Sequence, residues 1–233
     1  MNGKGEIRKA VVLLSGGIDS TVLLHYVVKR LAYARIYTLS FSYGQKHERE
    51  LAAARCQAGL FADVVEHEEA PLDVLNQLLK GRSSLLSSGD DVPRLDDLTV
   101  EEREQPPTYV PNRNLVLLSL AAAFAESRDC GEVFYGAQRQ DEYGYWDCTP
   151  SFVSRLNETL CLNRHRPVRI EAPFMNKSKG ACVQLGVELG VDFTYTWSCY
   201  RGGERPCGEC PTCRERENAF KESGADDPLQ KGE

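Results

Sequence analysis

The chain has 233 residues, 42% hydrophobic and 27% charged, enough to bury one full core. Its 28 basic and 34 acidic side chains leave a net charge of −6, which argues against the broad basic face of a nucleic-acid binder. No apolar run approaches the ~18–20 residues of a membrane-crossing helix, and residues 1–9 lack a signal-peptide core, so a cytoplasmic protein with no membrane partner is expected.

In chain order, residues 9–14 form an apolar run that ends in a glycine turn, Ser15-Gly16-Gly17-Ile18-Asp19-Ser20. Residues 21–31 continue at helical spacing, with Val22, Leu23, Tyr26, Val27 and Leu31 on one face. A second strand is predicted at 35–41, an alanine-rich helix at 47–60 and a third strand at 62–65. Further helices are expected at 112–127, 150–163 and 177–189, with strands at 132–136 and 168–172. Strands alternating with helices predict an α/β fold with a doubly wound parallel sheet and ligands at the carboxyl ends of its strands. The predicted main domain spans residues 1–195. Residues 68–108, rich in serine, aspartate, glycine and proline, are too long for an ordinary connection and read as a flap-like insertion, helical around 72–79. Residues 196–222 carry a cysteine cluster, and 223–233 read as a disordered tail. The basic cluster Arg164, His165, Arg166 and Arg169 reads as solvated surface.

The glycine turn lies between a strand and a helix, where a phosphate site would be built. Gly16 and Gly17 let the backbone approach phosphate oxygens, and the N–H groups of the helix start face the anion. Ser15, Ser20 and Thr21 add hydroxyl donors. Asp19 is out of place beside phosphates unless it holds Mg²⁺. The turn is neither the Gly-x-x-x-x-Gly-Lys-Ser/Thr loop nor a dinucleotide fingerprint. It resembles the PP-loop of the ATP pyrophosphatases, which grips departing pyrophosphate while AMP is transferred.

Nine cysteines divide into two sets. Cys56, Cys130, Cys148, Cys161 and Cys182 are scattered, mostly among apolar neighbours, and read as buried free thiols. The odd total argues for a reducing compartment. Cys199, Cys207, Cys210 and Cys213 fall within fifteen residues, among turn-forming glycines and prolines. Four thiolates with no open position describe a closed structural Zn²⁺ site, and an iron–sulfur cluster is the other metal centre with this spacing.

Several further stretches complete the pattern: Ser40-Phe41-Ser42-Tyr43-Gly44-Gln45-Lys46-His47, Tyr109-Val110-Pro111-Asn112-Arg113-Asn114, the loop 141–148, and Ser198-Cys199-Tyr200 leading into the cysteine cluster. Together with the glycine turn they resemble the 7-cyano-7-deazaguanine synthase (QueC) family over nearly the whole chain. The resemblance implies a carbon–nitrogen ligase that makes a nitrile from 7-carboxy-7-deazaguanine, ammonia and two ATP, with Mg²⁺ accompanying ATP. It also implies structural zinc and a homodimer. It assigns ATP to Leu14, Ser15, Gly16, Gly17, Asp19, Ser20, Thr21, Ser42, Tyr43, Gln45, Gly136 and Lys177. Substrate falls to Arg113, Asp141, Tyr145, Trp146 and Asp147, and Asp19, Lys177 and Arg113 are expected to be catalytic.

The chain also departs from the family pattern. Trp146 stands where the family loop has proline, Thr149 where it has arginine, and Asn112 where it has glycine. These departures keep an alternative open, in which the same adenylate is passed to an amine of another molecule, such as a protein N-terminus. A tRNA-modifying PP-loop enzyme would need a basic RNA-binding appendage or a sulfur-carrying cysteine outside the quartet, and the acidic charge disfavours it.

Overall fold

Continuous apolar runs nucleate a sheet that is covered on both faces. The structure, a computed structural model, describes residues 8–46, 49–139 and 145–230. Strand β1 (Lys9–Leu13) lies at the centre, and its Ala10, Val11 and Val12 are fully buried. Around it run β2 (Arg35–Ser42), β3 (Val65–Pro71), β4 (Glu132–Phe134) and β5 (Arg169–Glu171), in the order β3-β2-β1-β4-β5. Every neighbouring pair is parallel, with Val11 opposite both Tyr37 and Val133. The doubly wound parallel sheet expected from the sequence is therefore present.

Because side chains alternate along a strand, β1 sends Ala10 and Val12 to one face and Val11 to the other. The first face is packed by α1 (Ile18–Lys29), α2 (Arg49–Gly59), α7 (Lys179–Glu188) and α8 (Pro211–Ser223), through Val22, Ala54, Val183 and Phe220. The second is packed by α5 (Arg113–Ser127) and α6 (Pro150–Leu160), through Leu118, Ala121 and Phe152. Two short helices, α3 (Asp73–Leu78) and α4 (Val100–Glu104), lie in the insertion. No helix among the described residues is long and apolar enough to cross a membrane.

Of the five scattered cysteines expected to be buried, Cys56 and Cys161 are exposed. Several boundaries also differ from the sequence reading, α6 ending at Leu160 and β4 at Phe134. The third strand is not at 62–65 but at Val65–Pro71, where acidic residues hide the strand pattern. Their charges are matched from neighbouring elements, Glu66 by Arg35, Glu68 by Arg128 and Glu69 by Arg55. Helix α1 starts at Ile18, so Asp19 and Ser20 belong to its first turn rather than to the loop. Helix α7 starts at Lys179, because Ser178 is its N-cap and accepts from the Ala181 N–H at 3.1 Å.

The tail expected to be disordered from residue 223 is docked as far as residue 230. Gly224 ends α8 in the left-handed conformation (φ 71°), turning the chain back on itself. Asp227 then accepts two hydrogen bonds from Arg216, at 2.8 and 2.9 Å, with both side chains only 3% exposed. Arg216 also donates to Thr196 Oγ1 at 2.9 Å. Removing one member of a buried pair strands the other charge, so Asp227→Ala should lose about 3–5 kcal/mol of stability. Urea denaturation reads this directly, and a loss below about 1 kcal/mol would place the pair among surface ion pairs.

Candidate active site

The strand order reverses between β1 and β4, and a crevice opens there at the carboxyl ends of the strands. A cavity of about 490 Å³ fills it. The turn after β1 forms its floor. Gly16 has φ +87°, and a Cβ there would lie 2.0 Å from the Glu50 backbone oxygen, so only glycine lets the turn rest on α2. A Cβ on Gly136, after β4, would meet the Asp19 and Ser20 backbone at 3.1 Å, so the second strand end closes directly on the start of α1. The Ser15 amide donates to Ser20 Oγ at 3.2 Å, the two hydroxyls lie 3.0 Å apart, and Gly17 N–H donates to Ser15 Oγ at 3.3 Å. No side chain caps α1, so its first-turn amides and the positive end of its dipole point into the cavity.

Of the residues assigned to ATP or substrate from the sequence, Leu14, Ser15, Gly17, Asp19, Ser20, Tyr43, Gln45, Arg113, Gly136 and Tyr145 line the cavity. Gly16, Thr21 and Ser42 do not line it. Gly16 supports the turn from behind, Thr21 is fully buried, and the Ser42 carbonyl accepts from Leu72 N–H at 2.6 Å. The Gln45 amide fixes the loop after β2, accepting from Tyr43 N–H at 2.8 Å and donating to the Phe41 carbonyl at 3.0 Å. Asp141 lies outside the described residues.

Lys177 is exposed and does not reach the cavity, because it precedes the N-cap of α7. Lys179, the first residue of that helix, lines the cavity instead. Its Nζ lies 3.6 Å from Asp19 Oδ2 and 3.1 Å from Glu215 Oε2, and its side chain is 15% exposed. The N-cap signal of Ser178 was present in the sequence and would have selected Lys179. Burial raises the Asp19 pKa, Lys179 opposes that shift, and Glu215 adds to it. Asp19 Oδ1 is buried and has no hydrogen-bond partner among the described residues. A buried carboxylate oxygen without a partner has the donor chemistry of a divalent-cation ligand. Lys179→Met should lower pyrophosphate release by about a hundredfold or more, the scale of losing a cation that stabilises developing charge. Lys177→Met should stay close to wild type, and the reverse ranking would restore the sequence assignment.

Across the cavity stands Arg113, the first residue of α5. Burial disfavours its charge, but Tyr43, Tyr200, Tyr145 and Cys148 around it outweigh that, so its pKa is raised and it stays cationic. Asn112 before it is left-handed (φ 55°), a conformation that asparagine tolerates where glycine is usual. Tyr145 lines the cavity with its hydroxyl 3.0 Å from Thr108 Oγ1. The other two substrate-loop residues do not line it. Asp147 is buried and accepts from the Asn114 N–H at 2.9 Å, which fixes the start of α5. Trp146 donates to the Tyr109 hydroxyl at 2.8 Å and packs edge-on against Phe152. Thr149 is the N-cap of α6, accepting from Phe152 N–H at 3.2 Å. The three departures in sequence thus serve a turn, an outer contact and a helix cap.

The remaining wall comes from the cysteine segment, which contributes Trp197, Ser198, Tyr200, Pro211, Thr212 and Glu215. Of these, Trp197, Pro211, Thr212 and Glu215, together with Glu50 from α2, are not site residues in the sequence reading. The ligand atoms of Cys199, Cys207, Cys210 and Cys213 lie within 4.8 Å of one another, and the Cys207 and Cys213 sulfurs are 3.9 Å apart. Tetrahedral Zn–S bonds of about 2.3 Å need sulfurs about 3.8 Å apart, so the quartet can hold a metal such as zinc. Backbone N–H groups of Cys207 and Cys210 point at the Cys199 and Cys207 sulfurs at 3.4 Å, which favours thiolates. Thr212 Oγ1 donates to the Ser198 carbonyl at 2.7 Å, tying the start of α8 to the cavity wall.

A family model described as queuosine biosynthesis protein QueC matches residues 9–224. The chain is 42% identical over 223 residues to a 7-cyano-7-deazaguanine synthase of Alteromonas mediterranea, covering 94% of this chain and 97% of the relative. It is 43% identical over 227 residues to a protein of the same name from Thermosynechococcus vestitus, covering 95% of each. Among solved structures it is similar to NMN synthetase from Francisella tularensis, with a TM-score of 0.53 and 16% identity, covering 95% of this chain and 79% of the other. That likeness shows the fold.

Proposed function

Because the chain belongs to the QueC family of queuosine biosynthesis proteins, we propose that it converts 7-carboxy-7-deazaguanine and ammonia to 7-cyano-7-deazaguanine, consuming two ATP. The observation that carries this reading is one cavity that holds a phosphate-binding turn at one end and Arg113 among tyrosines at the other. A carboxylate is a poor electrophile, so its oxygen must become part of a leaving group. Arg113 can hold the carboxylate through paired N–H donors and aim one oxygen at the α-phosphorus of ATP. Tyr145, Tyr43 and Tyr200 offer ring faces and hydroxyls to the flat base.

Pyrophosphate leaves into the 15–20 turn, where helix-start amides and Lys179 stabilise its developing charge. Asp19 would hold the Mg²⁺ that accompanies ATP, and that ion supplies charge neutralisation at the phosphates. Ammonia attacks the acyl carbon, and AMP departs with one carboxylate oxygen, leaving the amide. The amide oxygen then attacks the α-phosphorus of a second ATP and expels pyrophosphate, and loss of the two amide protons lets a second AMP depart with that oxygen to leave the nitrile. The cysteine quartet would hold structural zinc that fixes the Ser198–Tyr200 wall.

The reading is tested by incubating the protein with ATP, Mg²⁺, 7-carboxy-7-deazaguanine and ammonium, then weighing the products by mass spectrometry. The expected outcome is the nitrile with two AMP for each molecule made. An adenylate that forms without nitrile, and is captured by a protein amine, would transfer the account to the conjugating alternative. No AMP formation with this acid would overturn both.

A further inference from the structure

Glu215 follows the quartet member Cys213 by two residues and points out of α8 into the cavity, where it meets Lys179 rather than a phosphate donor. A carboxylate beside a pyrophosphate site repels the ligand, so its placement calls for a reason. The geometry around α7 gives one. Helix α8 lies across the start of α7 and touches it at two points one heptad apart. Ser178 Oγ donates to Glu222, and Lys179 Nζ donates to Glu215 at 3.1 Å. A Cβ on Gly180 would strike the Glu222 side chain at 2.4 Å, so the two helices are in direct contact there. The middle of α8 is fixed by Arg216, which pairs with Asp227, and its near end by Thr212, whose hydroxyl donates to the Ser198 carbonyl at 2.7 Å. Lys179 therefore sits between a carboxylate on a rigid strut and the carboxylate of the phosphate loop, nearer to the first (3.1 Å) than to the second (3.6 Å).

We propose that Glu215 is a positioning residue that draws Lys179 away from Asp19, keeping the Asp19 carboxylate available to the divalent cation that enters with the nucleotide. Lys179 and the cation compete for the same carboxylate. Without the Glu215 charge, the ammonium closes on Asp19 and the cation must displace it. The strut that sets this balance belongs to the cysteine segment, so that segment tunes cation binding at the phosphate loop as well as walling the cavity.

The inference rests on the phosphate-loop reading but not on the deazaguanine substrate, and its test leaves that substrate out. Binding of α,β-methylene-ATP is measured by calorimetry across a Mg²⁺ series. Glu215→Gln should raise the Mg²⁺ concentration for half-maximal nucleotide binding about three- to fivefold, the scale of a partly exposed ion pair. Thermal midpoint and bound metal at the quartet should stay unchanged, which separates positioning from folding. In a Lys179→Met background the same substitution should have no effect on the Mg²⁺ requirement. An unchanged requirement in the single variant would overturn the proposal. An equal shift in both backgrounds would also overturn it, because Glu215 would then act through its bulk charge and not through Lys179.

Discussion

Asp19→Asn is expected to reduce AMP formation by about a hundredfold or more while leaving the fold intact. The substitution keeps the volume of the side chain and removes its charge. In the wild type Oδ1 is buried without a hydrogen-bond partner among the described residues, and Oδ2 is 3.6 Å from Lys179. A neutral amide there would be a weak ligand for a divalent cation, and its N–H₂ group could turn toward Lys179, where two donors face each other. Asp19 lies in the first turn of α1, whose Ile18, Val22 and Leu23 supply the packing, so stability should hardly change. Pyrophosphate release measured beside a thermal melt checks both halves. Activity within tenfold of wild type would remove the cation-holding role from Asp19.

The second large effect concerns the cysteine quartet. A structural zinc in a small thiolate site is worth about 10–16 kcal/mol of apparent binding free energy, comparable to the whole stability of a domain. The segment it would hold is mostly irregular: between Tyr195 and Pro211 no helix or strand is present. Its hydrophobic contacts are few, chiefly Val92 and Trp197 among the cysteines themselves. Stripping the metal with a strong chelator, or replacing Cys213 with serine, should therefore release residues 196–215 and with them the Ser198, Tyr200 and Thr212 wall of the cavity. Limited proteolysis should cut this segment early, and affinity for ATP should fall in step. The insertion should loosen too, since Arg94 pairs with Glu209 at 2.8 Å and Arg201 donates to the Val92 carbonyl. Unchanged cleavage and unchanged affinity after metal loss would show that the segment stands without its metal.

What the sequence made legible was local chemistry. The 15–20 turn could be read because glycine, serine and aspartate at that spacing carry their own conformational and electrostatic reasons, and the structure sets the turn at the switch point. The cysteine quartet was legible for the same reason. Positions that depend on partners distant in the chain were not. Lys177 and Lys179 differ by less than one helical turn, and only the N-cap at Ser178 decides which of them faces the cavity. Asp147, a substrate residue by resemblance, sits in a polar loop whose sequence gives no sign that its carboxylate accepts from the Asn114 N–H thirty-three residues back. The C-terminal tail has a disordered composition, yet one carboxylate meets a buried arginine eleven residues back and holds it in place. The predicted third strand stops at residue 65, where β3 in fact begins, because the acidic residues that follow find their cations on other elements.

Both carboxylate oxygens are expected to leave the substrate as part of AMP. The decisive measurement supplies 7-carboxy-7-deazaguanine with both carboxylate oxygens replaced by ¹⁸O, together with unlabelled ATP and ammonium. The mechanism predicts one heavy oxygen in every AMP formed, from both the acyl and the amide step, and none in pyrophosphate or inorganic phosphate. Label in phosphate or in water, with AMP unlabelled, would contradict adenylylation at this site.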